Sequence, residues 1–284
     1  MRVLVTGAAG FAGRVIARWL AAEGHDVVAH WRATPLPDDL AEGETWRADL
    51  AGDTPLPERL DAIVHTAASS PSTGASGTVP AASLIGDNAM ATARLAAAEV
   101  GVFVYLSSLS VHGAIADPVV TPETAVVNPD AYGMSKLLGE RSLAERAGPS
   151  LAIRLPAVVG RGAARNWPVQ VLARLRRGES VRIFNGDAAF NNVVHVQDVA
   201  AFAAHALTAP PAGFAAVPVA SRDPVTVREA VTCLAEAIGA NASVEDVAAP
   251  KPSFTIDIGP AVALGFAPRG TATALRDFAR EEGR

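Results

Sequence analysis

The chain has 284 residues, half of them hydrophobic, which is enough to bury one large α/β core with a small lobe beside it. Its net charge is −5 with both signs scattered along the chain, and the lack of a basic block argues against nucleic acid as a partner. Its one cysteine, Cys233, excludes an intrachain disulfide and a cysteine-held metal cluster, so no metal site is expected.

Val3-Leu4-Val5 reads as a strand from the outset, so no signal peptide is expected. No apolar run reaches bilayer length, and the expectation is a cytoplasmic protein with no membrane partner. Residues 14–22 have helical spacing, with Val15, Ile16, Trp19 and Leu20 on one face. Strands are expected at 26–30 and 62–65, an Ala-rich helix at 83–100, and a strand at 102–106. A helix over 132–147 and a strand over 151–155 follow, while 35–57 and 69–80 read as loops. Strands separated by helices imply right-handed crossovers and a parallel, doubly wound α/β sheet. After Gly160 the pattern loosens into helices at 169–177, 198–207, 225–239 and 271–282, with short strands at 181–183 and 193–196. The expected organisation is a core over 1–160 and, over 161–284, late sheet strands interleaved with a small lobe in the same structural unit.

The first turn carries the first chemistry. Val3-Leu4-Val5-Thr6-Gly7-Ala8-Ala9-Gly10-Phe11-Ala12-Gly13-Arg14 is strand, glycine turn and helix in that order. Gly7 permits the sharp turn, Gly10 lets the backbone approach a pyrophosphate, and Gly13 lets helix and strand pack closely. The helix N-terminus then offers free N–H groups and partial positive charge to phosphates. Glycine spacing alone is a weak signal, but the flanking strand and helix favour dinucleotide binding over a purely structural turn.

The spacing G-x-x-G-x-x-G resembles the cofactor turn of the short-chain dehydrogenase/reductase superfamily, in its extended, epimerase/dehydratase-like branch. The resemblance implies an NAD(P)-binding Rossmann sheet in 3-2-1-4-5-6 order, about seven strands, with a small C-terminal substrate lobe. It places Phe11 and Ala12 with the three glycines at the cofactor, Asp49 and Leu50 at the adenine edge, and Ala67 and Ala68 behind the dinucleotide.

The second strand ends at Ala29-His30-Trp31-Arg32. An NAD site usually offers a carboxylate here to the ribose hydroxyls, whereas Trp31 stands at that place and Arg32 follows. A guanidinium suits a 2′-phosphate, so NADP is favoured over NAD; Arg32 could equally stack on adenine or be an ordinary surface arginine.

Tyr132-Gly133-Met134-Ser135-Lys136 begins a predicted helix, so the phenol and the amine, four residues apart, share one face. An ordinary tyrosine is a poor base at neutral pH, and a nearby ammonium favours the phenolate. The chain has two tyrosines, and Lys136 and Lys251 are its only lysines, which weighs against a chance surface pair. The strand before it runs Tyr105-Leu106-Ser107-Ser108-Leu109-Ser110-Val111-His112-Gly113 and resembles the family's serine-rich segment. Counting back from Val111 and Gly113 puts the catalytic hydroxyl at Ser108, with Ser107 as runner-up and pocket-lining residue. The resemblance implies that Lys136 also meets the nicotinamide ribose and that Pro156 and Val158 flank the nicotinamide. His112 replaces the family's usual tyrosine and is a candidate substrate contact or a structural histidine. Ser69 is another candidate substrate contact. Asn88 is read as a backbone bridge or helix-bend residue, or else as solvated surface.

Val194-His195-Val196-Gln197-Asp198-Val199-Ala200 resembles a further family segment, with Asp198 expected as a helix N-cap and His195 as structural. Nucleotide-sugar enzymes of this branch often carry a phosphate-binding arginine four residues before that histidine, where this chain has Asn191, kept as a candidate substrate contact. An amide cannot replace a guanidinium on a diphosphate, so Arg161, Arg165 or Arg182 would have to supply charge from elsewhere. The expected activity is hydride transfer at a carbonyl or alcohol carbon of a small molecule. The alternatives are a sugar or nucleotide-sugar epimerase/dehydratase with no net cofactor turnover, and a non-catalytic dinucleotide sensor. A homodimer through the helices at 83–100 and 132–147 is implied by the resemblance alone.

Overall fold

Seven strands form one parallel sheet: β1 (Arg2–Thr6), β2 (Asp26–Trp31), β3 (Glu44–Arg47), β4 (Ala62–His65), β5 (Val102–Ser108), β6 (Ser150–Leu155) and β7 (Phe214–Pro218). Their spatial order is β3-β2-β1-β4-β5-β6-β7. The structure, a computed structural model, describes residues 1–71, 79–249 and 252–283. Residues 72–78 of the expected 69–80 loop, and Lys251, lie outside the described residues.

The chain runs outward from β1 to one edge, returns to β4 at the centre, and runs outward again to the other edge. The reversal between β1 and β4 opens a crevice at the carboxyl ends of the strands. In β1, Val3 and Val5 pack on one face with Ile16, Leu20, Val199 and Phe202. Leu4 points the other way and packs with Ile63, Leu95, Phe103 and Leu143. Both faces are therefore covered. Helices α1 (Phe11–Ala22) and, later in the chain, Val196–Thr208 lie on the first face, and α2 (residues 81–96) and α3 (Ala131–Ala144) on the second.

Two sheet strands were not expected. Glu44–Arg47 falls in the stretch read as loop, and Phe214–Pro218 in a stretch with no strand signal. Both are edge strands with one neighbour each, β2 and β6. The first is mostly exposed, with only Trp46 partly covered, and the second is Ala-rich and closes on a proline. Neither carries the buried β-branched run that marks an interior strand. The Ala-rich helix also differs: it ends at Ala96, and Ile85–Met90 is wound as a π-helix around the buried Asn88.

The second half contributes β7 and a lobe. Helices α4 (Trp167–Arg176), α5 (Val196–Thr208), α6 (Val227–Ala237) and α7 (Thr271–Glu281) follow in chain order. Val171, Leu175, Leu234 and Phe278 give α4, α6 and α7 a core of their own, and Phe11 from the glycine turn packs against it. Helix α5 starts two residues earlier than expected. His195 is its N-cap, accepting from the Gln197 N–H at 3.3 Å, and Asp198 instead pairs with Arg269 at 3.0 Å. Among the described residues no helix is long and apolar enough to cross a membrane.

The tight point of the fold is the first turn. Gly7 has φ +68°, and a Cβ there would lie 2.8 Å from the Ala67 Cα. A Cβ on Gly13 would come 2.2 Å from the Gly7 carbonyl oxygen and 2.6 Å from Thr66 Oγ1. Gly13→Ala is expected to cost about 1–3 kcal/mol of stability by overpacking two backbones that cannot separate. Urea denaturation of the variant beside the parent protein checks this, and an unchanged midpoint would refute it.

Candidate active site

The crevice beyond β1 and β4 is a cleft of about 400 Å³. It is lined by the glycine turn with Phe11 and Ala12, by Arg32, by Asp49 and Leu50, and by Ala67, Ala68 and Ser69. These residues were proposed separately along the sequence, and the fold brings them to one place. The N-terminus of α1 faces this space without a side-chain cap and without an acidic residue in its first turn. Its unpaired N–H groups and partial positive charge fit a bound anion. A glycine cradle that any Cβ would fill, joined to an uncapped helix start, fits the pyrophosphate of a dinucleotide.

Arg32 is half exposed at the rim of the cleft and is already engaged. Its guanidinium meets Asp87 at 2.8 Å and Asp49 at 3.8 Å. Asp87 comes from α2 and also accepts a hydrogen bond from the Ser69 hydroxyl. Sequence reading did not find Asp87, since nothing in its local spacing points across to a rim more than fifty residues earlier.

On the neighbouring strand at the same carboxyl edge of the sheet, Ser108 closes β5, and Tyr132 lies in the first turn of α3. Asp130 caps that helix, accepting from the Gly133 N–H at 2.7 Å. Burial raises the Tyr132 pKa, and the Ser108 side chain opposes the rise. The expected lowering by Lys136 is not found. The Lys136 ammonium instead donates to the Leu106 carbonyl at 2.8 Å and sits 4.6 Å above the Tyr105 ring. Burial brings the Lys136 pKa down to about 7, and the Glu140 carboxylate works against that fall. Proline 156 and Val158 are partly buried on the segment after β6, where Ala157–Val159 pairs with Val193–His195. The Val158 carbonyl is taken by the side chain of Asn166, the N-cap of α4, at 2.7 Å.

Three of the candidate substrate contacts are committed inside the protein. Ser107 is buried and donates to Glu140 at 2.6 Å. His112 is buried, with Nδ1 2.8 Å from the Thr124 carbonyl and Nε2 3.4 Å from Arg154, and burial lowers its pKa. Asn191 is buried and clamps Ile256, donating to its carbonyl and accepting from its N–H, both at 2.9 Å. Each therefore has a structural role beside the substrate contact expected of it. Ser69 remains on the cleft wall.

Sequence reading also missed Glu140 and Arg154 as a pair. The carboxylate of Glu140 accepts from Arg154 at 2.8 and 3.1 Å and from Ser107, directly behind Lys136. One signal was available: Glu140 stands four residues after Lys136, one helical turn further along the same face.

An unfolded lysine holds its proton to near 10.5, so from about pH 7 to about pH 10 the unfolded chain binds more protons at Lys136 than the folded one. Folding stability from this group therefore rises with pH across that window, at up to about 1.4 kcal/mol per pH unit. Lys136→Met should lack that rise. Urea unfolding of both proteins across the window checks the difference, and parallel pH dependences would refute it.

Residues 3–217 match the model of the NAD dependent epimerase/dehydratase family. A dTDP-4-dehydrorhamnose reductase of Burkholderia thailandensis is 35% identical over 161 residues, which is 54% of this chain and 49% of that protein. The chain thus aligns with about half the length of that reductase. The structure of MoeE5 in complex with UDP-glucuronic acid and NAD is 28% identical, covers 99% of this chain and 97% of its own, and superposes with a TM-score of 0.77. A UDP-glucuronic acid 4-epimerase from Bacillus cereus in complex with NAD shares the fold at 19% identity, with a TM-score of 0.80 over 100% of this chain and 99% of its own. The matched segment carries the glycine turn, Ser108, Tyr132 and Lys136, and the chain belongs to the NAD-dependent epimerase/dehydratase family, within the extended short-chain dehydrogenases/reductases.

Proposed function

We propose that the protein is an oxidoreductase that uses a nicotinamide dinucleotide at a carbonyl or alcohol carbon of a small molecule. One observation carries this reading. Ser108 ends β5, and α3 carries Tyr132 and, one turn further, Lys136 bonded to the Leu106 carbonyl two residues before Ser108, at the same carboxyl edge of the sheet as the phosphate cradle.

The bound dinucleotide supplies or accepts the reducing equivalent. The protein's own groups handle the oxygen and its proton. Ser108 holds the substrate oxygen beside Tyr132, and Tyr132 gives that oxygen its proton or takes it. The partly buried Tyr132 phenol holds its proton at neutral pH, which suits the donor role. Lys136, placed in the next turn, can present its positive charge to the phenolate as that proton leaves. Tyr132→Phe is expected to lower kcat about 10²–10⁴-fold while dinucleotide binding stays unchanged. Turnover assays on screened carbonyl substrates, with calorimetric dinucleotide titration, read both. Unchanged turnover would sink the acid/base role and revive a non-catalytic sensor.

NADP(H) is the favoured cofactor because β2 ends in Trp31-Arg32 with no carboxylate at the expected place. NAD is the second reading, supported by the carboxylates of Asp87 and Asp49 that already hold Arg32. If a 2′-phosphate displaces Asp87, Arg32→Ala should raise the KM for NADPH about tenfold or more and leave NADH nearly unaffected. Preference for NADH in the parent protein, untouched by that substitution, would establish the second reading.

An epimerase or dehydratase with no net cofactor turnover is the alternative activity, supported by the family's description and by the UDP-sugar complex of MoeE5. Loss of NADPH absorbance in step with product separates the reductase from it. A homodimer through α2 and α3 belongs to the same proposal, supported by the exposed Met90, Met134 and Leu138 on those helices.

A further inference from the structure

A second cleft, of about 240 Å³, opens between the lobe and the segment after β6. Ala157, on the short strand Ala157–Val159 that follows β6, forms part of its wall. Trp167 and Phe190 line it as a tilted pair with ring centres 5.3 Å apart. Phe184 and Phe254 complete an aromatic wall drawn from four separate segments. Phe184 is 37% exposed, a large apolar ring held at the surface beside a cavity.

Charge is scarce there. Among the described residues that line the cleft, Arg182 is the only cation; its side chain is 66% exposed, and Glu245 stands 3.9 Å away. Arg228, next to the lining residue Val227, is held by Asp246 at 2.9 Å and Asp187 at 3.6 Å. Asn191 is fastened to Ile256 through one donor and one acceptor. Among the described lining residues a diphosphate taken into such a cleft would find one guanidinium, the exposed Arg182, to offset the water it loses.

We propose that this cleft binds an uncharged aryl group of the substrate, rather than a nucleoside diphosphate. The proposal rests on the function given above and narrows its substrate to an aryl ketone, aldehyde or alcohol. Aromatic walls give such a ring offset and edge contacts, and the uncharged ring loses little hydration on entry.

Saturation-transfer NMR on the dinucleotide-saturated full chain tests it, with acetophenone and UDP as probes. Acetophenone ring protons should receive saturation, and its Kd should weaken about tenfold in Phe184→Ser and in Trp167→Ala. The exposure of Phe184 makes the first variant safe for folding, and circular dichroism checks both. Tighter binding of UDP than of acetophenone overturns the proposal. So does acetophenone binding that both variants leave unchanged, or the absence of binding by either probe. The readout is binding at the ring protons rather than turnover, so a failure here is distinct from a failure of the acid/base role, which turnover of Tyr132→Phe reads.

Discussion

A chain of buried hydrogen bonds joins the glycine turn to the helix that carries Tyr132, and the geometry of the site depends on it. Thr6 Oγ1 accepts from the N–H groups of Thr66 and Ala67 at 3.1 and 3.2 Å and lies 2.7 Å from His65 Nδ1. His65 Nε2 lies 3.0 Å from Thr92 Oγ1, whose own proton goes to the Asn88 carbonyl at 2.6 Å. With the Thr92 proton committed, Thr92 must accept from His65, so the histidine carries its hydrogen on Nε2 and accepts from Thr6 at Nδ1. That pattern needs a neutral imidazole. Burial and the nearby Lys136 ammonium hold the His65 pKa well below its usual value. Asn88 continues the chain, binding the Ser69 backbone on one side and the Ser135 hydroxyl on the other, and Ser135 donates to the Tyr132 carbonyl at 2.7 Å. The links through His65, Thr92 and Asn88 to Ser135 are buried, so breaking one of these strands a polar atom at a cost of about 1–3 kcal/mol.

Behind Tyr132 the fold stores charge. Glu140 and Arg154 form a buried pair, with Ser107 and His112 attached to its two ends. Burial costs such a pair most of its Coulomb energy, so its contribution is arrangement more than stability. It brings one carboxylate close behind Lys136, which would otherwise be an amine in an apolar setting with only the Leu106 carbonyl and the Tyr105 ring for company. The neighbouring serines Ser107 and Ser108 thereby divide their work. One is spent on Glu140, and the other is left for the Tyr132 phenol.

The parts of the site legible in the sequence are those whose chemistry is local. A glycine turn between strand and helix, or a tyrosine four residues before a lysine, is written in consecutive residues, and the fold needed only to bring the two pieces to one edge. The central strands were legible for the same reason, since Val3-Leu4-Val5 and Ala62-Ile63-Val64 are buried on both faces and read as apolar runs. Edge strands such as Glu44–Arg47 lack that signature. The structural roles of polar side chains were missed when their partners were distant. Asn191 finds Ile256 65 residues on, Ser107 finds Glu140 33 residues on, and His112 finds Thr124 after 12. A sequence displays a donor and an acceptor without saying which way they face, and a lone polar residue near a motif is easily assigned to the substrate. Asn88 was read through the family resemblance, which does not show the π-turn that seats it.

The two halves answer to different demands. Phosphate, ribose and nicotinamide are the same in every dinucleotide of their kind, so the turn at Gly7–Gly13 and the face of α3 have little freedom to vary. The lobe has a core of its own in α4, α6 and α7 and is the part proposed to meet the substrate. The family match ends at residue 217, before α6, before Phe254 and before α7, which together close the lobe. In that region the chain has spent Asn191 on fastening the Thr255–Ile256 strand, whose partner Val119–Val120 lies near the loop of His112. The side chain that holds this strand in place is therefore committed through one donor and one acceptor. What remains open beside Ala157 is aromatic. The proposed aryl cleft would then owe its character to the polar groups the lobe uses in holding itself together.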